Sequence, residues 1–292
     1  MRIRSLLRRG KTFVIECFEN IYRKFEKRAF SRGSVLKNIP RYSDRLGGLG
    51  TITYGEWCYT VGVFQSILFL HKPDVETPLN ILDVGCGTGR LFLSSSSFMK
   101  DSDTYTGLDV GKASIEICRR HYSDSRVNFV YYEASNASYA PEATRSVVEW
   151  PLGKQKFNLI TALSVWTHLN EEDWVGYLRQ VAGRLELGGR AVISFFVLDD
   201  LYRETLSKRG PEVSRYYPQP KSRWIFEKKA YGSSEWFCPI WADPPEAAIA
   251  VTEDAFKREM QNAGLKIVKF YPGNWKEVPG LFFQDIAVLE KA

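Results

Sequence analysis

The chain is short of histidine, with three in 292 residues, and its five cysteines, Cys17, Cys58, Cys86, Cys118 and Cys238, include no CxxC pair. An odd, scattered set argues against a disulfide framework and offers no zinc site, so no metal is expected and a reducing, cytoplasmic setting fits. Long apolar runs are missing as well. The longest, CYTVGVFQSILFL (58–70), is too short to cross a bilayer and contains Gln65. The opening MRIRSLLRRGKTFVIECF starts basic, but Glu16 breaks its apolar run and no small-residue cleavage site follows, so a secretory signal is not expected. A basic body is also lacking. The net charge of +6 belongs to residues 1–33, which carry ten Lys/Arg against three Glu, while the remainder holds 30 basic and 31 acidic residues. One short basic arm without a basic face on the body is thin support for nucleic acid, and none is expected as a partner.

That arm has a pattern of its own. Residues 12–30 place Val14, Phe18, Ile21, Tyr22, Phe25 and Ala29 at helical spacing, with basic residues between them. The pattern fits a helix packed on the body, and equally a helix lying on an anionic membrane surface or a partner. SDRLGGLGT (43–51) reads as a glycine-rich joint. It divides a basic helical arm, 1–45, from a main domain, 46–292, in which residues 56–70 read as a mostly buried helix.

From residue 80, short apolar runs alternate with helical stretches. Strands are expected near 80–84, 104–109, 127–131, 157–163 and 190–196, with helices near 89–99, 112–121 and 171–185. This alternation argues for a parallel sheet covered on both faces. A helix at 252–263 stopping at Gly264 and two strands, 265–271 and 281–289, complete the chain. Between them, about 197–250, lies an insertion rich in proline and aromatics, SRYYPQPKSRWIFEKKAYGSSEWFCPIWADPPE. A loop of that length reads as a lid, placed where open α/β sheets bind ligands, beyond the carboxyl end of a central strand.

The densest signal is NILDVGCGTGRLF (80–92). Ile81, Leu82 and Val84 make a buried strand; Gly85, Gly87 and Gly89 then let the backbone turn and approach a ligand without a Cβ in the way. A helix begins directly afterwards, and its free N–H groups favour an anionic group. Twenty residues beyond Gly89 stands Asp109, an acceptor suited to a pair of ribose hydroxyls. A dinucleotide loop wants G-x-G-x-x-G and no acid ahead of it, because a pyrophosphate is repelled by a carboxylate. Here the spacing is G-x-G-x-G, preceded by Asp83. The zwitterionic tail of S-adenosylmethionine suits it better, its carboxylate toward the loop and its ammonium toward Asp83.

ILDVGCGTGR and YTGLDV are similar to the first two motifs of the class I S-adenosylmethionine-dependent methyltransferases. VNFVYYEASNASY, KFNLITALSVWTHL and LRQVAGRLELGGRAVISFF resemble the third to fifth, in order and at the usual spacing, over roughly residues 50–290. The resemblance implies a Rossmann-like α/β fold of seven strands, mostly parallel with the last antiparallel, carrying an N-terminal helix and a lid insertion after the fifth strand. It also implies a cofactor site. Asp83, Gly85, Cys86, Gly87 and Gly89 would hold the methionine part, Asp109 and Val110 the ribose, and Glu133 and Ala134 the adenine, with Leu163 nearby. Asn158 replaces the family's usual aspartate before the fourth strand, away from the expected ligand. SVWTHL, PPEAAIAVTEDAF and GNWKEVPGLFFQDIAVLEK resemble a bacterial branch often associated with saccharide or cell-envelope glycolipid modification. A hydroxyl on a saccharide, glycolipid or small molecule is the expected acceptor.

Methyl transfer from a sulfonium is an in-line displacement that gains most from alignment and exclusion of water. A hydroxyl acceptor also gains from a base. His168, just past a strand end, is the candidate; the alternative is that it orders the loop before the helix at 171. His71 and His121 read as surface or capping residues. Asp199 and Asp200 are substitute bases. Tyr54, Glu56 and Trp57 could close over the cofactor, and Trp166 could face it from the far side. The insertion's Tyr216, Tyr217, Trp224, Trp236 and Trp241 could stack on an acceptor or form a small core of their own. ADPPE (242–246) reads as a proline turn and Cys86 as a packing residue. Two rival readings stay open: a nicotinamide-dependent oxidoreductase and a non-catalytic binding protein for the same cofactor. The arm could touch the inner face of a membrane.

Overall fold

The computed structural model describes residues 2–25, 38–47, 50–74, 76–134 and 149–292. Seven strands build one sheet: β1 (Asn80–Val84), β2 (Thr104–Asp109), β3 (Val127–Tyr131), β4 (Phe157–Ala162), β5 (Leu185–Phe195), β6 (Leu265–Tyr271) and β7 (Asp285–Lys291). Their order across the sheet is β6-β7-β5-β4-β1-β2-β3. β1 pairs in parallel with β2 and β4, β2 with β3, and β4 with β5, while β7 runs antiparallel to both neighbours. The order reverses at β1, where one crossover leads to β2 and a later one to β4. Open α/β sheets bind their ligands at such a reversal, beyond the carboxyl ends of the strands.

Side chains alternate between two covered faces, as the two-residue period of a strand requires. Leu82 and Val84 enter a core with α5 (Glu171–Arg184) and α7 (Glu253–Asn262), whereas Ile81 enters the opposite core with α2 (Tyr54–His71), α3 (Arg90–Ser96) and α4 (Lys112–His121). Local chemistry sets the helix ends. Thr53, Asn170 and Thr252 accept backbone N–H bonds as N-caps of α2, α5 and α7. Gly264, at φ 72°, takes the left-handed conformation just past α7.

Several elements differ from the sequence reading. α3 stops at Ser96 rather than 99: Ser94, Ser95, Ser96 and Ser97 each turn a hydroxyl back to a carbonyl three or four residues earlier, competing with the helix. β5 starts at Leu185 rather than 190, because Phe157 pairs with Leu185 ahead of a register shift. β7 begins at Asp285, not 281. α2 is buried on one side only; Trp57, Val61, Phe64 and Leu68 face the core, while Phe69 and Leu70 face solvent.

The insertion is ordered by a second sheet of four short strands. In sheet order they are Val197–Leu198, Ala250–Thr252, Trp236–Cys238 and Lys228–Lys229. Phe196, Tyr202, Trp224, Phe226 and Trp275 form its own apolar core. α6 (Asp200–Leu206) leads into it. At its base the Lys276 ammonium, fully buried, bridges Asp199 at 2.7 Å and Asp285 at 2.9 Å. Burial pushes the Asp285 carboxyl up, and Lys276 opposes that shift.

The N-terminal helix, α1 (Arg2–Phe25), lies against the segment around Tyr42–Asp44. Arg45, fully buried at the proposed arm boundary, grips Glu19 of α1 and donates to the carbonyls of Ile52 and Pro40. Ala29 falls outside the described residues.

Candidate functional site

The glycine loop leaves β1 at the point where the sheet order reverses. Gly85, Gly87 and Gly89 all have positive φ, at 70°, 51° and 89°. Their surroundings divide their roles. A Cβ on Gly85 would sit 2.4 Å from Val165, and one on Gly89 2.4 Å from the Tyr122 ring, so these two glycines permit close packing within the protein. A Cβ on Gly87 meets nothing among the described residues within 4 Å, so of the three loop glycines this one faces open space.

The loop N–H groups differ from expectation. Gly85 and Cys86 both donate to the Leu108 carbonyl, Gly89 to Cys86, and Gly87 to Asp109 Oδ2 at 2.7 Å. They fasten the loop to the end of β2 instead of pointing outward. Asp109 is thereby tied to the loop, its Oδ1 also accepting from Gly111 N–H at 2.6 Å. Each carboxylate oxygen keeps a further lone pair for a ribose hydroxyl. Burial pushes the Asp109 carboxyl up, and the two backbone bonds counter it.

Asp83 is fully buried on the face shared with Tyr105, whose hydroxyl donates to its Oδ2. Its Oδ1 has no hydrogen-bond partner among the described residues, and neither do Thr88 Oγ1 in the loop or Thr161 Oγ1, which lies opposite Asp83 in the register. Burial raises the Asp83 carboxyl to about 8; Tyr105 opposes this, Asp109 adds to it and Arg90 opposes it. A buried acid with an unpartnered oxygen carries a desolvation cost that a cation placed beside it would relieve. The donor set therefore fits the zwitterionic end of S-adenosylmethionine, and it does not fit a pyrophosphate.

The other cofactor-site candidates take these places. Val110 follows β2 and packs against the main core, Glu133 is exposed after β3, and Ala134 is buried next to it. Leu163 is buried at the end of β4. Trp57 is fully buried with the Arg90 guanidinium 5.9 Å from its ring centre, and its indole N–H has no partner among the described residues. Tyr54 is half-buried and stacks edge-on against Tyr22 of α1. Cys86 is buried and its thiol is pushed up by burial, which suits packing rather than attack. Asn158 bonds Asn80 N–H and the Pro78 carbonyl at the opposite edge of the sheet.

His168 ends a short 3-10 turn, Trp166–His168, at the carboxyl end of β4. Its Nδ1 is 2.7 Å from the Glu246 carbonyl, within the turn Pro245–Ala247 that ADPPE enters. A carbonyl there fixes the neutral tautomer with the proton on Nδ1 and the basic lone pair on Nε2. Burial lowers its pKa, partly offset by that bond, so the ring is neutral around pH 7. It does not cap α5, a role Asn170 fills.

The substitute bases are engaged elsewhere: Asp199 caps α6 and meets Lys276, and Asp200 pairs with Arg203 at the surface. His71 meets the Tyr271 hydroxyl and His121 the Asn38 carbonyl. Trp166 is core, its indole N–H donating to the Trp174 carbonyl. Of the insertion aromatics, Trp224, Tyr217 and Trp241 belong to its own core, Trp236 packs on Trp174, and Tyr216 lies against Arg215.

One cluster at this edge carried no sequence signal. Ser164, at φ 58°, donates its N–H to Ser194 Oγ, and both hydroxyls meet Gln284 Oε1 at 2.9 and 2.7 Å. Three separate stretches of chain contribute it, so no local pattern could reveal it.

A family model described as a methyltransferase domain matches residues 59–269. Among curated proteins, a ubiquinone biosynthesis O-methyltransferase of Vibrio vulnificus (strain YJ016) is 27% identical over 125 residues, 43% of this chain and 47% of that protein. An O-methyltransferase of Pyrenophora dematioidea is 30% identical over 126 residues, 41% of this chain and 40% of that protein. The chain thus spans about half or less of the length of these relatives. Among solved structures, an S-adenosylmethionine-dependent methyltransferase from Clostridium acetobutylicum ATCC 824 aligns over 81% of this chain and 92% of its own at 12% identity, with a TM-score of 0.49. With more than two thirds of its length matched, the glycine loop included, the chain belongs to the methyltransferase-domain family.

Proposed function

We propose that this protein transfers a methyl group from S-adenosylmethionine to a hydroxyl oxygen. The observation carrying the reading is the buried Asp83 Oδ1, unpartnered among the described residues, in the strand that opens into the outward-facing Gly87. Asp83 and the loop would hold the methionine part, Asp109 with Val110 the ribose, and Glu133 and Ala134 the adenine, with Leu163, Trp57 and Tyr54 around them. When bound, the cofactor supplies a methyl group activated by its sulfonium.

The chain's own residues do the rest. The insertion covers the carboxyl edge and excludes water. His168, neutral with its lone pair on Nε2, takes the acceptor's proton. An oxygen acceptor is in keeping with relatives named O-methyltransferases. The finer reading is a saccharide, glycolipid or small-molecule hydroxyl, with residues 1–33 able to bring the protein to the inner face of a membrane when the acceptor is lipid-linked.

Calorimetry with S-adenosylmethionine and with a nicotinamide dinucleotide tests the cofactor, and label transfer from methyl-labelled cofactor into glycan and lipid extracts tests the reaction. Tight binding of the first and transfer lost in Asp109→Ala are expected. Binding of the dinucleotide alone would overturn the reading; cofactor binding with no acceptor taking label would favour a binding protein.

A further inference from the structure

Helices that pack on a globular body usually bury their apolar stripe. α1 does the reverse. Its polar side is fastened down: Glu16 accepts from the Ser43 N–H and hydroxyl, Glu19 pairs with buried Arg45, and Arg23 donates to the Ile39 carbonyl at 3.0 Å. At 100° per residue, Val14, Phe18 and Ile21 then fall on the opposite side, with Phe13 at its border. All four are exposed, the two phenylalanines at 69% each. Lys11 and Lys24, both exposed, border this strip. The first eleven residues of the sequence add Arg2, Arg4, Arg8 and Arg9 and contain no acid.

We propose that α1 is an interfacial anchor: its outward strip of Phe13, Val14, Phe18 and Ile21 inserts among the acyl chains of an anionic bilayer while the flanking cations meet the headgroups. The charge decides the occupant. A second copy of this arm would bring a like-charged surface against itself, whereas an anionic lipid surface attracts each Lys and Arg and accepts the apolar strip. No helix among the described residues is long and apolar enough to span a membrane, so the contact is peripheral. The ties to Arg45 and Ser43 hold α1 against the domain, so insertion would fix how the body sits on the surface. The inference deepens the membrane contact proposed above for residues 1–33 and stands independently of methyl transfer.

The test uses the full chain with vesicles of phosphatidylcholine, alone and with one third phosphatidylglycerol, read by flotation and light scattering. Wild type is expected to bind the mixed vesicles at least tenfold more tightly than the neutral ones, with binding weakened by salt. Phe13→Ser/Phe18→Ser should lose at least tenfold on mixed vesicles while keeping its melting temperature and its affinity for S-adenosylmethionine, because both side chains lie in solvent. Equal binding by this variant and wild type overturns the proposal, as does absence of wild-type binding. A concentration-dependent dimer that the double variant abolishes would assign the strip to self-association and also overturn it.

Discussion

In the role proposed for Asp83, its carboxyl, raised to about 8 by burial, should make cofactor binding a proton-release event. At pH 7 such a group is about nine-tenths protonated in the free protein. A cation beside Oδ1 favours the carboxylate and draws its pKa below neutrality, so binding should expel about 0.9 proton per site at pH 7. The sign follows: cofactor affinity rises with pH up to about 8, roughly tenfold per unit well below that value, and flattens above it. Calorimetry in two buffers of low and high ionisation enthalpy reads the proton count directly. Asp83→Asn, which keeps the shape and an acceptor for Tyr105, removes this contribution, and the difference between the two proteins cancels any titration of the ligand's own amine. Equal proton counts in wild type and variant would refute the role given to Asp83.

Further outcomes are expected from single substitutions. Gly89→Ala, with φ at 89° and a Cβ 2.4 Å from Tyr122, should destabilise the fold by about 2–4 kcal/mol. Gly87→Ala should cost only about 1–2 kcal/mol, having open space, yet lower cofactor affinity at least tenfold; urea melts and calorimetry separate the two. Lys276→Met leaves Asp199 and Asp285 without their shared cation and should cost about 3–5 kcal/mol in urea unfolding. His168→Gln should reduce kcat/KM by about 10²–10⁴ with cofactor affinity intact. With cofactor saturating, so that Asp83 is already ionised, the wild-type profile of kcat/KM for the acceptor should reach its plateau below pH 6.5, because burial lowers the His168 pKa. A loss under tenfold, or a parallel loss of cofactor binding, would make His168 a loop-ordering residue.

Much of the sheet was legible because its signals are local. Ile81, Leu82 and Val84 fill both sides of β1, and the glycines that follow could only be a turn. Asp83 and Asp109 stood out because each is a charge at the end of an apolar run, which burial makes costly without a purpose. What was not legible depends on distant partners. Whether a loop N–H points outward or to Leu108 cannot be read from GCGTG. The roles of Gly85 and Gly89 come from Val165 and Tyr122, far along the chain. The periodicity of α1 was plain, yet which side meets the body was decided by Arg45 and Ser43. Likewise the cluster of Ser164, Ser194 and Gln284 exists only once three chain segments meet.

The most direct test is a crystal structure of the protein grown with S-adenosylmethionine or its demethylated product. The cofactor's amino group should lie within hydrogen-bond reach of Asp83 Oδ1, the chain crossing Gly87 and the ribose reaching Asp109. Clear density for it at another site, or a crevice at 83–89 and 109 left bare while it binds elsewhere, would contradict the account.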